Sequence, residues 1–285
     1  MQLHTINTGN FKLDGGAMFG VVPKSIWHKL NPADEHNLCT WAMRCLLVQD
    51  GNKLILIDTG IGNKQSDKFY SHYHLHGTHT LEHSLQQLGY STTDITDVVL
   101  THLHFDHCGG AVYRHNNLLK PTFTNATYWS NIDHWAWATV PNDREKASFL
   151  TENIMPLQQS GQLQLLPSIH SAITATHHTL PSMGMKYANG HTNHMMLPVL
   201  QYKGHTIVYM ADLLPSIAHI PLPYIMGYDM FPYQTLQEKK LFLQEALDNN
   251  YLLYFEHDKV HELCSLTTND KGQIIAGHTM PLSSL

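Results

Sequence analysis

Thr101-His102-Leu103-His104-Phe105-Asp106-His107-Cys108-Gly109-Gly110 places four metal-capable side chains within six residues, at the spacing H-x-H-x-D-H. Imidazole and carboxylate together are the ligand set of hydrolytic zinc. The chain holds 23 His among 285 residues, so a single imidazole says little, whereas four specified positions within six residues say much more. Just before the run, Thr96-Asp97-Val98-Val99-Leu100-Thr101 reads as a short buried strand. Just after it, Gly109-Gly110 breaks regular structure and lets backbone pack closely. The ligands therefore lie on a loop leaving a strand end, where open α/β sheets build their sites. His102 and His104 can point to one side and Asp106 and His107 to another, so one loop can serve two ions.

Working outward, Leu54-Ile55-Leu56-Ile57-Asp58-Thr59-Gly60 is a strand ending in Asp-Thr-Gly. Downstream, Ala188-Asn189-Gly190-His191-Thr192-Asn193-His194 supplies a histidine in a Gly-His-Thr setting. An aspartate follows at a strand end in His205-Thr206-Ile207-Val208-Tyr209-Met210-Ala211-Asp212, and a late histidine in Tyr251-Leu252-Leu253-Tyr254-Phe255-Glu256-His257-Asp258. Five elements in this order, across residues 54–258, resemble the signature of the metallo-β-lactamase superfamily.

The resemblance implies an αββα sandwich of two mixed β-sheets flanked by helices. Periodicity by itself gives only α/β or α+β. It also implies a dinuclear site. His102, His104 and His191 would hold one ion; Asp106, His107 and His257 would hold the second; Asp212 would bridge them. A hydroxide shared by the ions would attack a lactone or ester of a small molecule, with Asp106 or Asp212 passing the proton to the leaving group. Asp58 is read as a carboxylate that orients a ligating imidazole. The ions are two divalent metals, with Zn2+ favoured by the N/O ligand set and Fe, Mn or Co fitting the same residues. An alternative on the same site is a phosphotriester or phosphodiester hydrolase. A non-enzymatic alternative is a His-rich metal-binding protein.

The substrate side is read from aromatic residues. Gly15-Gly16-Ala17-Met18-Phe19-Gly20 is followed by Trp27, and Trp41 precedes the first hairpin. In lactonase-like and organophosphate-hydrolase-like relatives the early loops form an apolar wall beside the metals. Met18, Phe19, Trp27 and Trp41 are the candidates here, with Phe105 inside the motif, where quorum-quenching lactonases often read His-Leu-His-Phe-Asp-His. One departure stands out. Many acyl-homoserine lactonases carry a Tyr three residues after the bridging Asp; this chain has Pro215. The Gly-His-Thr string is also one residue short before its next histidine, so His194 competes with His191.

His72, His74, His76, His79 and His83 form a second cluster, but its first part, Ser71-His72-Tyr73-His74-Leu75-His76-Gly77, has no carboxylate and leads into a helix. They read as a loop near the mouth of the site. His177 and His178, at the end of an apolar stretch, read as polar rim, and His205, His219 and His261 read as structural rather than as ligands.

The hydrophobic content of 42% is ordinary for a globular protein. The net charge of −6 with His neutral argues against a general nucleic-acid binder. No apolar run approaches the roughly 20 residues of a membrane span. The four cysteines have no regular spacing and read as small buried residues. With no linker or low-complexity tract, residues 1–285 read as one domain, cytoplasmic, acting on a small molecule; homodimers are common among such relatives. Hairpins are expected at Asp50-Gly51-Asn52, Lys203-Gly204 and Asn269–Gly272, and an amphipathic helix over Thr235–Asp248.

Overall fold

The computed structural model describes residues Met1–Leu285. Its fifteen strands, in chain order, are β1 (Gln2–Asp14), β2 (Leu38–Asp50), β3 (Lys53–Ile57), β4 (Asp97–Val99), β5 (Val112–His115), β6 (Leu118–Pro121), β7 (Thr127–Asn131), β8 (Leu163–Leu166), β9 (His177–Leu180), β10 (Met183–Ala188), β11 (Met195–Tyr202), β12 (His205–Tyr209), β13 (Leu252–Tyr254), β14 (Leu263–Thr268) and β15 (Ile274–Met280). The helices are α1 (Gly15–Phe19), α2 (Lys24–Trp27), α3 (Asp67–Ser71), α4 (Leu81–Gln87), α5 (Phe105–Cys108), α6 (Ile132–Thr139), α7 (Thr151–Gln159) and α8 (Pro232–Asp248). The strands form a six-stranded sheet ordered β1-β2-β3-β4-β7-β8, a seven-stranded sheet ordered β15-β14-β13-β12-β11-β10-β9, and the small β5–β6 pair. Both large sheets are mixed: β3, β4, β7 and β8 run parallel, as do β12 and β13, while β2–β3, β9–β10, β10–β11, β11–β12, β13–β14 and β14–β15 pair antiparallel. This is a mixed α/β fold. No helix is long and apolar enough to cross a membrane.

The chain divides into two compact units, one built from Met1–Asn10 and Met43–Ile169, the other from Phe11–Ala42 and His170–Leu285. In the first unit, Leu47, Leu56, Val98, Leu100 and Tyr128 of the sheet region pack against Leu81 and Leu85 of α4, Ala138 of α6 and Ile154 and Leu157 of α7. These side chains are almost wholly shielded from water, which is the main term holding the helices to the sheet. The β2–β3 hairpin turns at Gly51-Asn52 as its Asp-Gly-Asn sequence requires, in the register Asp50↔Lys53 to Leu46↔Ile57.

In the second unit, Lys203 (φ 48°) and Gly204 (φ 82°) make the two-residue turn between β11 and β12. Both central residues have positive φ, as a twist-matched hairpin demands. The β14–β15 hairpin also forms, turning through the expected Asn269–Gly272. Helix α8 starts at Pro232, three residues before the expected Thr235, with proline at a position where its missing N–H costs nothing. Its buried stripe also differs from the apolar pattern: Leu241 is 51% exposed, whereas Glu238 and Lys239 are buried. All four cysteines are free and buried, as their spacing suggests.

Candidate metal centre

In the first unit, β4 delivers the motif. Val98, Val99 and Leu100 are buried, and the chain then leaves the sheet edge through Thr101. His104 is the N-cap of α5, so Asp106 and His107 sit on one short helical turn. Glycines set the loop's depth. A Cβ on Gly109 would lie 2.1 Å from the Ile61 carbonyl oxygen, and one on Gly110 2.2 Å from that of Thr59. Gly110 N donates to Gly60 O at 2.9 Å and Thr59 N to His107 O at 2.8 Å. Lys64 Nζ donates to Gly109 O, and burial lowers this amine to about 8.

The imidazoles of this unit are individually oriented. His102 has its Nδ1 at 3.1 Å from Thr101 Oγ1, and its Nε2 at 3.1 Å from His104 Nδ1. The other nitrogen of His104, Nε2, faces Glu145 Oε1 at 3.3 Å. His107 Nδ1 meets Asp58 Oδ2 at 3.1 Å, while its Nε2 is 3.9 Å from Asp106 Oδ2. Asp58 in turn accepts from Thr101 N at 2.8 Å and Thr101 Oγ1 at 2.7 Å. In each case a protein group engages one ring nitrogen and leaves the other turned toward a second candidate ligand. That is how a neutral imidazole is fixed in the tautomer a metal needs.

The second unit repeats the pattern. His191 sits in the loop after β10, Asp212 shortly after β12, and His257 shortly after β13. Asp212 presents Oδ2 to His191 Nε2 at 3.1 Å and Oδ1 to His257 Nε2 at 3.2 Å. The remote nitrogens are tied as well: His191 Nδ1 to Asp229 Oδ1 at 2.9 Å, His257 Nδ1 to the Ala42 carbonyl at 2.7 Å. Burial pulls the His191 value down, but the Asp212 and Asp229 carboxylates on its two sides outweigh this and raise it to about 10. Ala211, immediately before Asp212, is held at φ 41°, a left-handed conformation costing a non-glycine residue roughly 1–2 kcal/mol.

His194, the rival of His191, turns elsewhere: its ring lies 4.9 Å from that of His170 and 5.5 Å from that of Tyr187. His219 is buried and structural, meeting Ser216 Oγ at 2.8 Å and the Met18 carbonyl at 2.9 Å. Met18, Phe19, Trp27 and Trp41 are at most 2% exposed. Phe19 stacks between Trp27 (5.2 Å) and His219 (4.7 Å), with Trp41 at 6.0 Å, so these residues pack as core and present no open face.

Phe105 contacts Tyr73 at 4.7 Å and Phe69 at 5.4 Å. Phe69 and Tyr73 are half-buried, so a partly open aromatic ledge adjoins the motif loop. Tyr73 belongs to the His-rich segment expected near the site mouth. Burial, then the charge of Asp106, raise its phenol to about 12.

Sequence reasoning missed Glu145, Asp229, Glu238 and the ledge residues Phe69 and Tyr73. None has a local signal. Glu145 lies in Asp143-Arg144-Glu145-Lys146, a charge run that resembles a solvated face. Glu238 is buried and accepts from the backbone N–H groups of Asn189 (2.8 Å) and Gly190 (3.0 Å), which orders the His191 loop.

The family model of the metallo-beta-lactamase superfamily matches residues 44–257. The chain belongs to the metallo-beta-lactamase superfamily. Probable metallo-hydrolases of Mycobacterium bovis and Mycobacterium tuberculosis are each 32% identical over 111 residues, which is 33% of this chain and 35% of the relative. The chain thus matches about a third of the length of these curated relatives. A probable metal-dependent hydrolase from Staphylococcus aureus superposes with a TM-score of 0.85 at 28% identity, covering 98% of both chains. AidC, a dizinc quorum-quenching lactonase in complex with a product, superposes with a TM-score of 0.77 at 21% identity over 98% of this chain and 95% of its own, a likeness of fold.

Proposed function

We propose that the chain is a metal-dependent hydrolase that cleaves a lactone or ester of a small molecule, using two divalent ions. His102, His104 and His191 would hold one ion, Asp106, His107 and His257 the other, with Asp212 between them. The observation that carries this reading is Asp212: its two oxygens point to two different imidazoles, His191 and His257, each anchored through its far nitrogen. A carboxylate splitting its oxygens in this way suits a bridging ligand. The donor set is all nitrogen and oxygen, and each imidazole is braced as a ligand should be, so the residues fit divalent zinc or a similar ion.

When bound, the ions supply a Lewis acid for the substrate oxygen and make water a nucleophile near neutral pH. The protein does the rest. Asp58 fixes His107, and Thr101 fixes both Asp58 and His102. Asp106 or Asp212 takes a proton from water and returns it to the leaving oxygen, so that ester and water become acid and alcohol. The Phe69–Tyr73–Phe105 ledge receives the apolar arm of the substrate. The Tyr73 hydroxyl, kept protonated, donates to a substrate oxygen, a role for which Pro215 has no group. AidC is named a lactonase, and its bound product is an acyl-homoserine. That chemistry is the first substrate class to try.

The test is metal content per chain, with turnover of lactones, aryl esters and phosphotriesters measured before and after chelation. We expect about two ions and chelator-sensitive cleavage of a carbon ester. Asp212→Asn and His107→Ala should each lose an ion and most of the activity, whereas His74→Ala on the His-rich loop should leave turnover intact. Full turnover in Asp212→Asn would sink the two-ion mechanism. Preference for phosphotriesters would move the reaction to phosphorus.

A further inference from the structure

We infer that Glu145 is a positioning residue for metal binding: it holds the proton of His104 on Nε2 and so leaves Nδ1 bare for an ion. The inference rests on the reading of His104 as a ligand, and it uses residues of the first unit alone.

The geometry leaves Glu145 little choice. Its side chain is buried. One oxygen, Oε2, accepts from Trp137 Nε1 at 2.6 Å and from Asn142 Nδ2 at 2.8 Å. The orientation of Asn142 is itself fixed, because its Oδ1 accepts from the backbone N–H groups of Arg144 (2.9 Å) and Glu145 (3.1 Å). Asn142 therefore presents its NH2 group to Oε2. That leaves Oε1 facing His104 Nε2 at 3.3 Å. A carboxylate only accepts, so the proton between them sits on Nε2. A neutral imidazole has one N–H, and Nδ1, which faces His102 Nε2 at 3.1 Å, is then a lone-pair donor.

His104 is thus the reverse of its neighbours. His102 and His107 are braced through Nδ1 and turn Nε2 toward another candidate ligand, whereas His104 is braced through Nε2 and turns Nδ1 toward His102. Its tautomer is set by a residue 41 positions away in the chain.

The isosteric amide separates this role from simple packing. In Glu145→Gln the amide oxygen is claimed by the Trp137 and Asn142 donors. The NH2 group then faces His104 Nε2, which must accept, and the imidazole proton moves to Nδ1. We expect Glu145→Gln to weaken zinc binding by about 10- to 100-fold, as fully as Glu145→Ala does. Were Glu145 only filling space, Gln would restore wild-type affinity.

The experiment titrates zinc into metal-free wild type, Glu145→Gln and Glu145→Ala against a chromophoric chelator, with thermal midpoints recorded without metal. Zinc affinity of Glu145→Gln within twofold of wild type overturns the inference. Should the variants fail to fold, zinc-loaded wild type labelled with 15N-histidine decides. His104, assigned by its loss in His104→Asn, should carry its proton on Nε2; a proton on Nδ1 overturns the inference. No turnover is read in either measurement. A protein that binds zinc as described but cleaves nothing would therefore refute the hydrolase reading and leave this one standing.

Discussion

Asp58 shows how much one residue can organise. Held at φ 57°, it accepts from two groups of Thr101 and meets His107 Nδ1. An amide in its place has one acceptor oxygen for three donors. Asp58→Asn should therefore lower metal affinity by about 10- to 100-fold, measured by competition with a chelator. Tyr73→Phe removes one hydroxyl at the ledge. We expect kcat/KM to fall about tenfold, the value of one lost hydrogen bond, with metal content and thermal midpoint unchanged. Unchanged kcat/KM would take Tyr73 out of the substrate site. At this scale the candidate ligands were legible because they occur in a dense string with fixed order. Their supports were not, because Glu145 and Asp229 look like ordinary surface acids until the fold buries them against His104 and His191.

Helix α8 is the element that ties the second unit's loops. Glu238 caps Asn189 and Gly190, while the next residue, Lys239, reaches back to the carbonyls of Pro221 (3.1 Å) and Tyr224 (2.7 Å). Burial lowers the Lys239 amine to about 7 and raises the Glu238 carboxyl, the cost of placing both inside. The helix start presses on the loop so closely that a Cβ on Gly190 would lie 2.2 Å from Thr235 Oγ1 and 2.4 Å from its backbone nitrogen. Gly190→Ala must push loop and helix apart. It should cost about 1–3 kcal/mol in denaturant unfolding and weaken zinc binding through His191. A variant with wild-type stability would show that the loop yields freely. Turn chemistry made the three hairpins readable in advance. Helix α8 was readable as a helix, but not its buried face, since Glu238 and Lys239 face inward for hydrogen bonds that no hydrophobic period encodes. Long strand β1 was missed because its polar residues mask the alternation.

Over the whole molecule, acid sensitivity follows in part from His219, one of the buried histidines of the second unit. Burial lowers His219 to about 3, against the smaller raising effect of its bond to the Met18 carbonyl; the Lys239, Asp212 and His257 charges also act on it. Below pH 6.5 the unfolded chain takes up a proton that the folded chain refuses. Stability is therefore lost as pH falls from about 6.5 toward 3, with a slope from this residue approaching about 1.4 kcal/mol per pH unit. Urea unfolding in chelator at several pH values should show a shallower slope in His219→Asn than in wild type; parallel slopes would refute the assignment. The same contact also bears on synthesis. The hydrogen bond from His219 to Met18 joins residues 201 positions apart, and the Phe19 ring stacks on that imidazole. While a ribosome is still making the middle of the chain, Phe19 and Trp27 are already outside, but His219, which covers the other face of the Phe19 ring, does not yet exist. Nascent chains stalled before residue 219 should therefore display an aromatic surface that finished molecules hide, and should be the form that chaperones capture.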